Sequence, residues 1–388
     1  MKKIIRFLLL ISPIIYSIIV LNKDLYFYLI AGIFFLIVSI RFTVKYNDKV
    51  KIWIQIGITY IFLDLTFHKI DFIQFIKNFQ YIKIEFLIPV FIVIYLSLFL
   101  RAYKWKYLIS HIKKLSTKNL FKATLLGFMG NAIFPARIGE VIRAVMISRY
   151  EKISKISALS SIILERIFDG LIVGGMFVYI LLFNPIQNNT LNRTGIIISA
   201  IYVFAIIFMF LIYFKYDFIA NYFNNHFEFI GKNMKKKIIH FFYSFYNGLH
   251  VFKNGKYLSF FILYTILVWI INIGEAYFFL KSMNIINVFL KHSMYSPLFF
   301  SVIFTFIMTV GVAIPSGPGS AGPLQASILF AFILVMPNLM KLPIKYNYIA
   351  SFSMYVWIIQ VSAVILGGTV VIIKDGLSFK NIRKLQEI

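Results

Sequence analysis

Eight apolar runs constrain this chain more than any other feature; they fall near residues 4–21, 25–40, 52–67, 84–103, 157–183, 195–214, 257–280 and 349–373. A helix needs about 20 apolar residues to cross a hydrocarbon core, where every backbone polar group must be satisfied within the protein. The runs are continuously apolar and do not alternate with period two, so they predict helices and not the strands of a β-barrel. Composition agrees, because 60% of the 388 residues are hydrophobic and 14% are charged, against about a quarter charged in soluble domains. The expected fold class is all-α, a polytopic membrane protein with about eight spanning helices. Residues 4–21 follow Lys2, Lys3 and Arg6 in the manner of a signal peptide. No small-residue cleavage site follows them and another apolar run starts at Leu25, so a retained first helix is expected.

The formal charge is +26, from 40 Lys+Arg against 14 Asp+Glu. On a soluble protein that excess would point to nucleic acid. Here the basic residues lie between apolar runs, where they set orientation and face anionic headgroups, so membrane lipids and not nucleic acid are the expected partners. With a cytoplasmic N-terminus and one crossing per run, 30 basic residues fall on the cytoplasmic side, 9 fall outside, and Arg166 lies within a span. That split predicts a multi-pass protein of a prokaryotic plasma membrane with both termini in the cytoplasm. The absence of cysteine excludes disulfides, cysteine-ligated zinc, iron–sulfur clusters and thiol nucleophiles. The six histidines are scattered, so neither a metal nor another cofactor is expected. Oligomeric state leaves no mark on the sequence.

Two further regions, 120–149 and 297–340, are apolar but broken by Gly and Pro. Each can enter and leave on one face, the first from the cytoplasm and the second from outside, as a re-entrant broken-helix hairpin. The chain then divides into an N-terminal helical addition (1–51), a membrane domain (52–373) and a cytoplasmic tail (374–388). Within the domain, 52–183 and 195–373 share the order span, amphipathic linker, span, broken pair, span. Inverted repeats of that kind mark transporters whose site lies where the broken helices meet. No residue-level repeat accompanies the hydropathy order. The linker 215–256 places Lys232, Lys235, Lys236 and Lys237 among aromatic and aliphatic residues at helical spacing, as in an interfacial helix on an anionic leaflet. Sequons at Asn188 and Asn192 fall on a predicted outside loop.

Three segments carry the candidate chemistry. In GNAIFPARIGEVIRAVMISRYEK (130–152), Gly130, Asn131 and Pro135 break a helix, and Arg137, Glu140 and Arg143 share a sector of the next one. Two arginines around one glutamate suit a phosphate, which guanidinium groups bind bidentately; the plain alternative is a basic cytoplasmic loop. In SSIILERIFDGLIVGG, Glu165, Arg166 and Asp169 lie inside a span, where charges cost about 2.5–3.5 kcal/mol each unless paired. Arg166 can pair with Asp169 at i+3, which leaves Glu165 for Arg137 or Arg143. That network either serves transport directly or only pins the broken helix. In PSGPGSAGP (315–323), Gly317 and Gly319 open a non-helical turn whose amides could form an anion-binding nest, with Gln325 adding a side-chain contact; the alternative is an ordinary outside turn. Asp64 and Glu275 also fall inside apolar runs, either as proton-coupling carboxylates or as buried acids with partners elsewhere.

In order, RAYKWKYLI (101–109), GNAIFPARIGEVIRA (130–144), ERIFDG (165–170) and PSGPGSAG (315–322) resemble the lysylphosphatidylglycerol synthase transmembrane-region family, or flippase-like domain proteins, over roughly residues 52–373. The resemblance implies a membrane domain that moves a lipid between leaflets, such as an aminoacylated phospholipid or an isoprenoid-linked sugar. Many members are similar to PSGPGSAG followed by an acid, where this chain has Gln325. The aminoacyl-phospholipid synthases of that group carry a large soluble domain after the membrane part. This chain ends about 15 residues beyond its last predicted span, so it is not expected to make lysyl-lipid by itself. The resulting expectation is a lipid translocator with no catalytic residues. Asn131, Arg137, Arg143, Gly317, Gly319 and Gln325 would bind the headgroup of an anionic or isoprenoid-linked lipid, supported by Glu140, Glu165, Arg166 and Asp169. An enzyme of lipid aminoacylation or lipid-linked glycosyl transfer is the competing class.

Overall fold

The computed structural model describes residues 48–110, 113–134, 137–183, 255–288 and 295–377, with scattered positions between 196 and 246. The runs at 4–21 and 25–40, most of 195–214, Pro135, the four linker lysines, both sequons and nearly all of the tail lie outside the described residues. Every regular element among the described residues is helical. In chain order, α1 (Asp48–Phe67), the short α2 (Phe72–Lys77) and α3 (Leu87–Ile109) precede a hairpin of α4 (Thr117–Ile133) and α5 (Gly139–Glu151), and α6 (Lys155–Phe183) follows. Then come α7 (Gly255–Ser282), a second hairpin of α8 (Pro297–Val312) and α9 (Pro323–Val335), and α10 (Pro343–Lys374).

Four stretches, Ile84–Ile109, Gly255–Ser282, Pro318–Val335 and Pro343–Lys374, are long and apolar enough to cross a membrane. The chain is thus an all-α polytopic membrane protein. The third stretch opens with a turn rather than a helix, since Gly319 and Gly322 sit at φ +64° and +90°. Its helix, α9, has 13 residues and is about 20 Å long at 1.5 Å per residue. The 13 residues of α5 reach no further. Each hairpin therefore has an arm too short for a core about 30 Å thick.

Local chemistry explains where these helices start and stop. Asp71 caps α2, accepting from the amides of Ile73 and Gln74 at 2.9 and 3.1 Å. Its own amide donates to Asn347 at the start of α10 (3.1 Å), and Asn78 donates to Ser351 one turn further on, so the 68–83 linker is stapled to α10. Ser296 caps α8 ahead of Pro297, and Pro323 opens α9, as suits a residue with fixed φ and no amide hydrogen. Lys152 stops α5 in the left-handed conformation (φ 54°).

The long helices and hairpins interlock reciprocally. α3 lies along α7, α10 packs on α4, and α6 packs on α8. The turn at Pro318–Ser320 rests against α4, so the two broken regions meet in the interior. Between α8 and α9 the approach is close: a β-carbon on Gly311 would lie 2.7 Å from that of Ser327. Beside it, Phe300 and Phe304 of α8, Phe332 of α9 and Phe352 of α10 form one aromatic core, with ring centroids 4.9–6.4 Å apart.

Candidate functional site

The site grows from charges that the apolar helices must bury. Arg101 and Lys104 lie one turn apart on α3 and face Glu165 and Asp169, one turn apart on α6. Lys104 Nζ lies 2.5 Å from Asp169 Oδ1 and 3.6 Å from Glu165 Oε1. Arg101 approaches Asp169 Oδ2 at 3.7 Å and Arg166 does so at 3.4 Å. Arg143 of α5 pairs with Glu165 Oε2 at 3.0 Å, and its guanidinium stacks 3.9 Å from the Trp105 ring centroid. Trp105 Nε1 donates to Ser161 (2.9 Å), and Trp269 Nε1 donates to Asp169 Oδ1 (3.3 Å). Lys104 and Glu165 are 0% exposed and Arg143 is 2% exposed. Among the described residues the cluster thus holds four cations, Arg101, Lys104, Arg143 and Arg166, with the two carboxylates Glu165 and Asp169. An isolated charge in such a place is expensive, so groups there pair or line a polar path; this cluster does both.

The α4–α5 hairpin supplies the next layer. Asn131 Oδ1 accepts from the amide of Gly139 at 2.7 Å, satisfying the first turn of α5. Gly139 must be glycine for this crossing, because a β-carbon there would lie 2.0 Å from the Gly127 carbonyl oxygen and 2.4 Å from Asn131 Oδ1. Arg137, just ahead of α5, is exposed and sits at φ 53°. That left-handed backbone costs a non-glycine residue about 1–2 kcal/mol. Glu140 follows in the first turn of α5, and its Oε2 is buried without a hydrogen-bond partner among the described residues.

These layers surround a cavity of about 790 Å³, a size that holds a drug-sized ligand or a lipid headgroup. Its wall includes the cations Arg101, Arg137 and Arg166 and the acids Glu140, Asp169 and Glu275. Asn131, Asn272 and Gln360 add neutral polar groups, and Gly319 and Ser320 bring in the second broken region. With its amide nitrogen on Ser97 Oγ (2.7 Å), Asn272 accepts from Arg101 Nη2 at 3.0 Å. Glu275 Oε1 accepts from Gln360 Nε2 at 2.8 Å, across from α7 to α10. Phe128, Phe279 and Phe304 make up part of the apolar remainder.

The structure therefore brings Asn131, Arg137, Glu140, Arg166, Asp169 and Gly319 to one cavity. Arg143 is not part of its wall; it is buried, stacked on Trp105 and paired with Glu165. Gln325, 1% exposed, turns back to accept from the amide of Gly322 at 2.7 Å. The Gly317 amide donates to Thr59 Oγ1 at 2.7 Å, and the amides of Ser320 and Ala321 close the turn on itself. Four of the amides expected to form an anion nest are thus already bonded. Gly319 instead offers its carbonyl to Trp357 Nε1 (3.0 Å). Glu165 holds Arg143, and Arg166 pairs with Asp169 at i+3. Asp64 lies on α1, outside the cavity wall.

Arg101, Lys104, Asn272 and Gln360 did not stand out in the sequence. The first two belong to RAYKWKYLI, whose cations read as a loop after an apolar run ending at residue 103. α3 continues to Ile109, and that carries them into the interior. Two cations three residues apart, facing an ERxxD pattern in another span, were the available signal.

Two broken hairpins that close one mixed-charge cavity among long apolar helices define a membrane protein built around an internal polar site. Residues 52–344 match the family described as the lysylphosphatidylglycerol synthase TM region. The match covers three quarters of the chain, and the chain belongs to that family. Neither a curated protein nor a solved structure matches it.

Proposed function

We propose that this chain translocates a phosphate-bearing lipid, an anionic phospholipid or an isoprenoid-linked lipid, between the leaflets of a prokaryotic plasma membrane. The observation that carries the reading is the cation excess of the ion-pair cluster: four cations share two carboxylates, and two of those cations, Arg101 and Arg166, open onto the cavity. A phosphodiester there would offset one of the two surplus charges through bidentate guanidinium contacts. Arg137 would meet the headgroup from the hairpin, and the unpartnered Glu140 Oε2 would accept from a headgroup hydroxyl or ammonium. Acyl or prenyl tails would stay in lipid while the headgroup occupies the cavity.

In this reading the hairpins are re-entrant from opposite faces and the two halves are inverted. The reciprocal packing of α10 on α4 and α6 on α8 supports that symmetry. The charge asymmetry of the loops supports cytoplasmic termini: taking Arg101, Lys104 and Arg143 out of the 30 inner basic residues still leaves 27 against 9. The test is reconstitution in phosphatidylcholine vesicles with fluorescent phosphatidylglycerol or a fluorescent polyprenyl phosphate, read by dithionite quenching. Accelerated crossing that R137A reduces at least tenfold is expected. No acceleration with either lipid would refute the proposal.

The family match favours one second reading, a membrane component of aminoacyl-phospholipid synthesis. Lipid analysis of a deletion strain separates the two, since a missing lipid species indicates synthesis and an altered leaflet distribution indicates transport.

A further inference from the structure

The three wall acids differ in their partners. Asp169 faces Lys104, Arg101 and Arg166 within 3.7 Å and receives the Trp269 indole, so its charge is needed in any state of the site. Glu140 sits in the first turn of α5, where the helix dipole also favours an anion. Glu275 is built differently. It lies on α7, has no cation within ion-pair distance among the described residues, and meets the neutral amide of Gln360 at 2.8 Å. That partner suits both protonation states: the amide nitrogen donates to a carboxylate, and the amide oxygen, after a flip, accepts from a carboxylic acid. Protonation therefore strands no buried polar group.

The charged surroundings fit a group that takes up a proton together with an anion. Arg101 of α3, Arg166 and Asp169 of α6, and Arg137 and Glu140 of the hairpin line the same cavity as Glu275; α10 lines it with Trp357, Gln360, Val361 and Val364, none of them charged. With Glu275 ionised, the wall carries three positive and three negative side chains. With it protonated, the balance rises by one positive charge, which one phosphodiester cancels. Glu275 also links α7 to α10, which meet as well at the Phe279–Tyr355 ring contact (5.8 Å), so its bond joins two helices of the cavity wall.

Resting on the translocation reading above, we propose that Glu275 is a proton-binding site that couples movement of an anionic lipid headgroup to movement of one proton in the same direction. The proton comes from water on the loading face, resides on a Glu275 carboxylate oxygen while the phosphodiester is bound, and returns to water on the other face. No other bond forms or breaks, and the pair crosses with no net charge.

The test uses the full chain in phosphatidylcholine vesicles with trace fluorescent phosphatidylglycerol, a pH dye inside and the membrane potential clamped at zero. One proton per lipid predicts that the inner-to-outer ratio of labelled lipid shifts about tenfold for each unit of imposed pH difference. The lumen should change pH as lipid moves, and E275Q should abolish both responses. E275D keeps a titratable group and should retain the response with a displaced pH midpoint. Wild-type protein that moves the lipid to a distribution indifferent to the pH gradient would overturn the coupling and leave translocation standing; an E275Q protein with the wild-type gradient response would do the same. Wild-type protein that moves no lipid would overturn both.

Discussion

Replacing Arg143 with methionine separates a structural arginine from a headgroup arginine. Its guanidinium lies 3.0 Å from Glu165 Oε2 and 3.9 Å from the Trp105 ring. Methionine fills much of the volume but leaves Glu165 with Lys104 at 3.6 Å, a cation already engaged with Asp169 at 2.5 Å, and with the half-exposed Arg166 at 3.9 Å. Breaking a buried ion pair from one side costs about 3–5 kcal/mol, because the remaining charge stays out of water. A large domain loses roughly 2 °C of melting temperature per kcal/mol, so R143M should melt about 6–10 °C below wild type. Adding E165Q neutralises the stranded carboxylate, and R143M/E165Q should recover at least half of that loss. Tryptophan fluorescence in detergent reads the melt directly, since Trp105 lies against the substituted side chain. Well below its melting temperature, R143M should still bind phosphatidylglycerol, whereas R137A should melt like wild type and bind it poorly. An R143M protein that melts within about 1 °C of wild type, or is not rescued by E165Q, would refute a structural role.

Three further substitutions test other parts of the fold. G139A drives a β-carbon to 2.0 Å from the Gly127 carbonyl oxygen and should prevent a monodisperse preparation, whereas G174A, with nothing within 4 Å, should melt at or slightly above wild type on size exclusion and thermal scans. R137G relieves the φ of 53° and should raise stability by about 1 kcal/mol while abolishing lipid movement. Asp375, just past α10, accepts from Tyr150 at 2.7 Å and from Lys122, joining both ends of the first hairpin to α10. Burial raises its carboxyl, but the hydrogen bonds from Lys122 and Tyr150 and the lysine charges outweigh that and hold it below the usual carboxylate value. A depressed folded value means that the contribution is present above the unfolded value, about 3.9, and is lost as pH falls through the folded one. D375N should flatten the stability profile below about pH 5, measured by melting at successive pH values.

The class of fold was legible because burial in lipid writes itself into long apolar runs, and the two breaks were legible because Pro and Gly interrupt them. The hairpin glycines and Asn131 stood out for that reason. What the runs could not show was which charges lie inside. A hydropathy window ends a span at its first cluster of cations, yet Arg101 and Lys104 continue on α3, held there by two carboxylates some 65 residues away on α6. The PSGPG turn misled in the opposite direction. Its composition freed the backbone amides from a helix, but Thr59 of α1 and Gln325 of α9 claimed two of them. Such claims depend on tertiary neighbours, and no local pattern announces them.

The charges divide into two layers with different duties. Lys104, Glu165 and Arg143 are buried behind the cavity wall. They hold Asp169 and the α5 hairpin in fixed positions, and through Asp169 they hold Arg101 and Arg166 at the cavity. Were all four cations exposed, each could follow a mobile phosphate and lose its place on its helix. Were all four sealed, no positive surplus would reach the cavity. Sharing two carboxylates among four cations leaves the cluster with a surplus, and two of its members, Arg101 and Arg166, reach a wall that Glu140 and Glu275 also line. An apolar replacement of the sealed layer should therefore cost stability first and binding second, and a replacement on the wall should reverse that order.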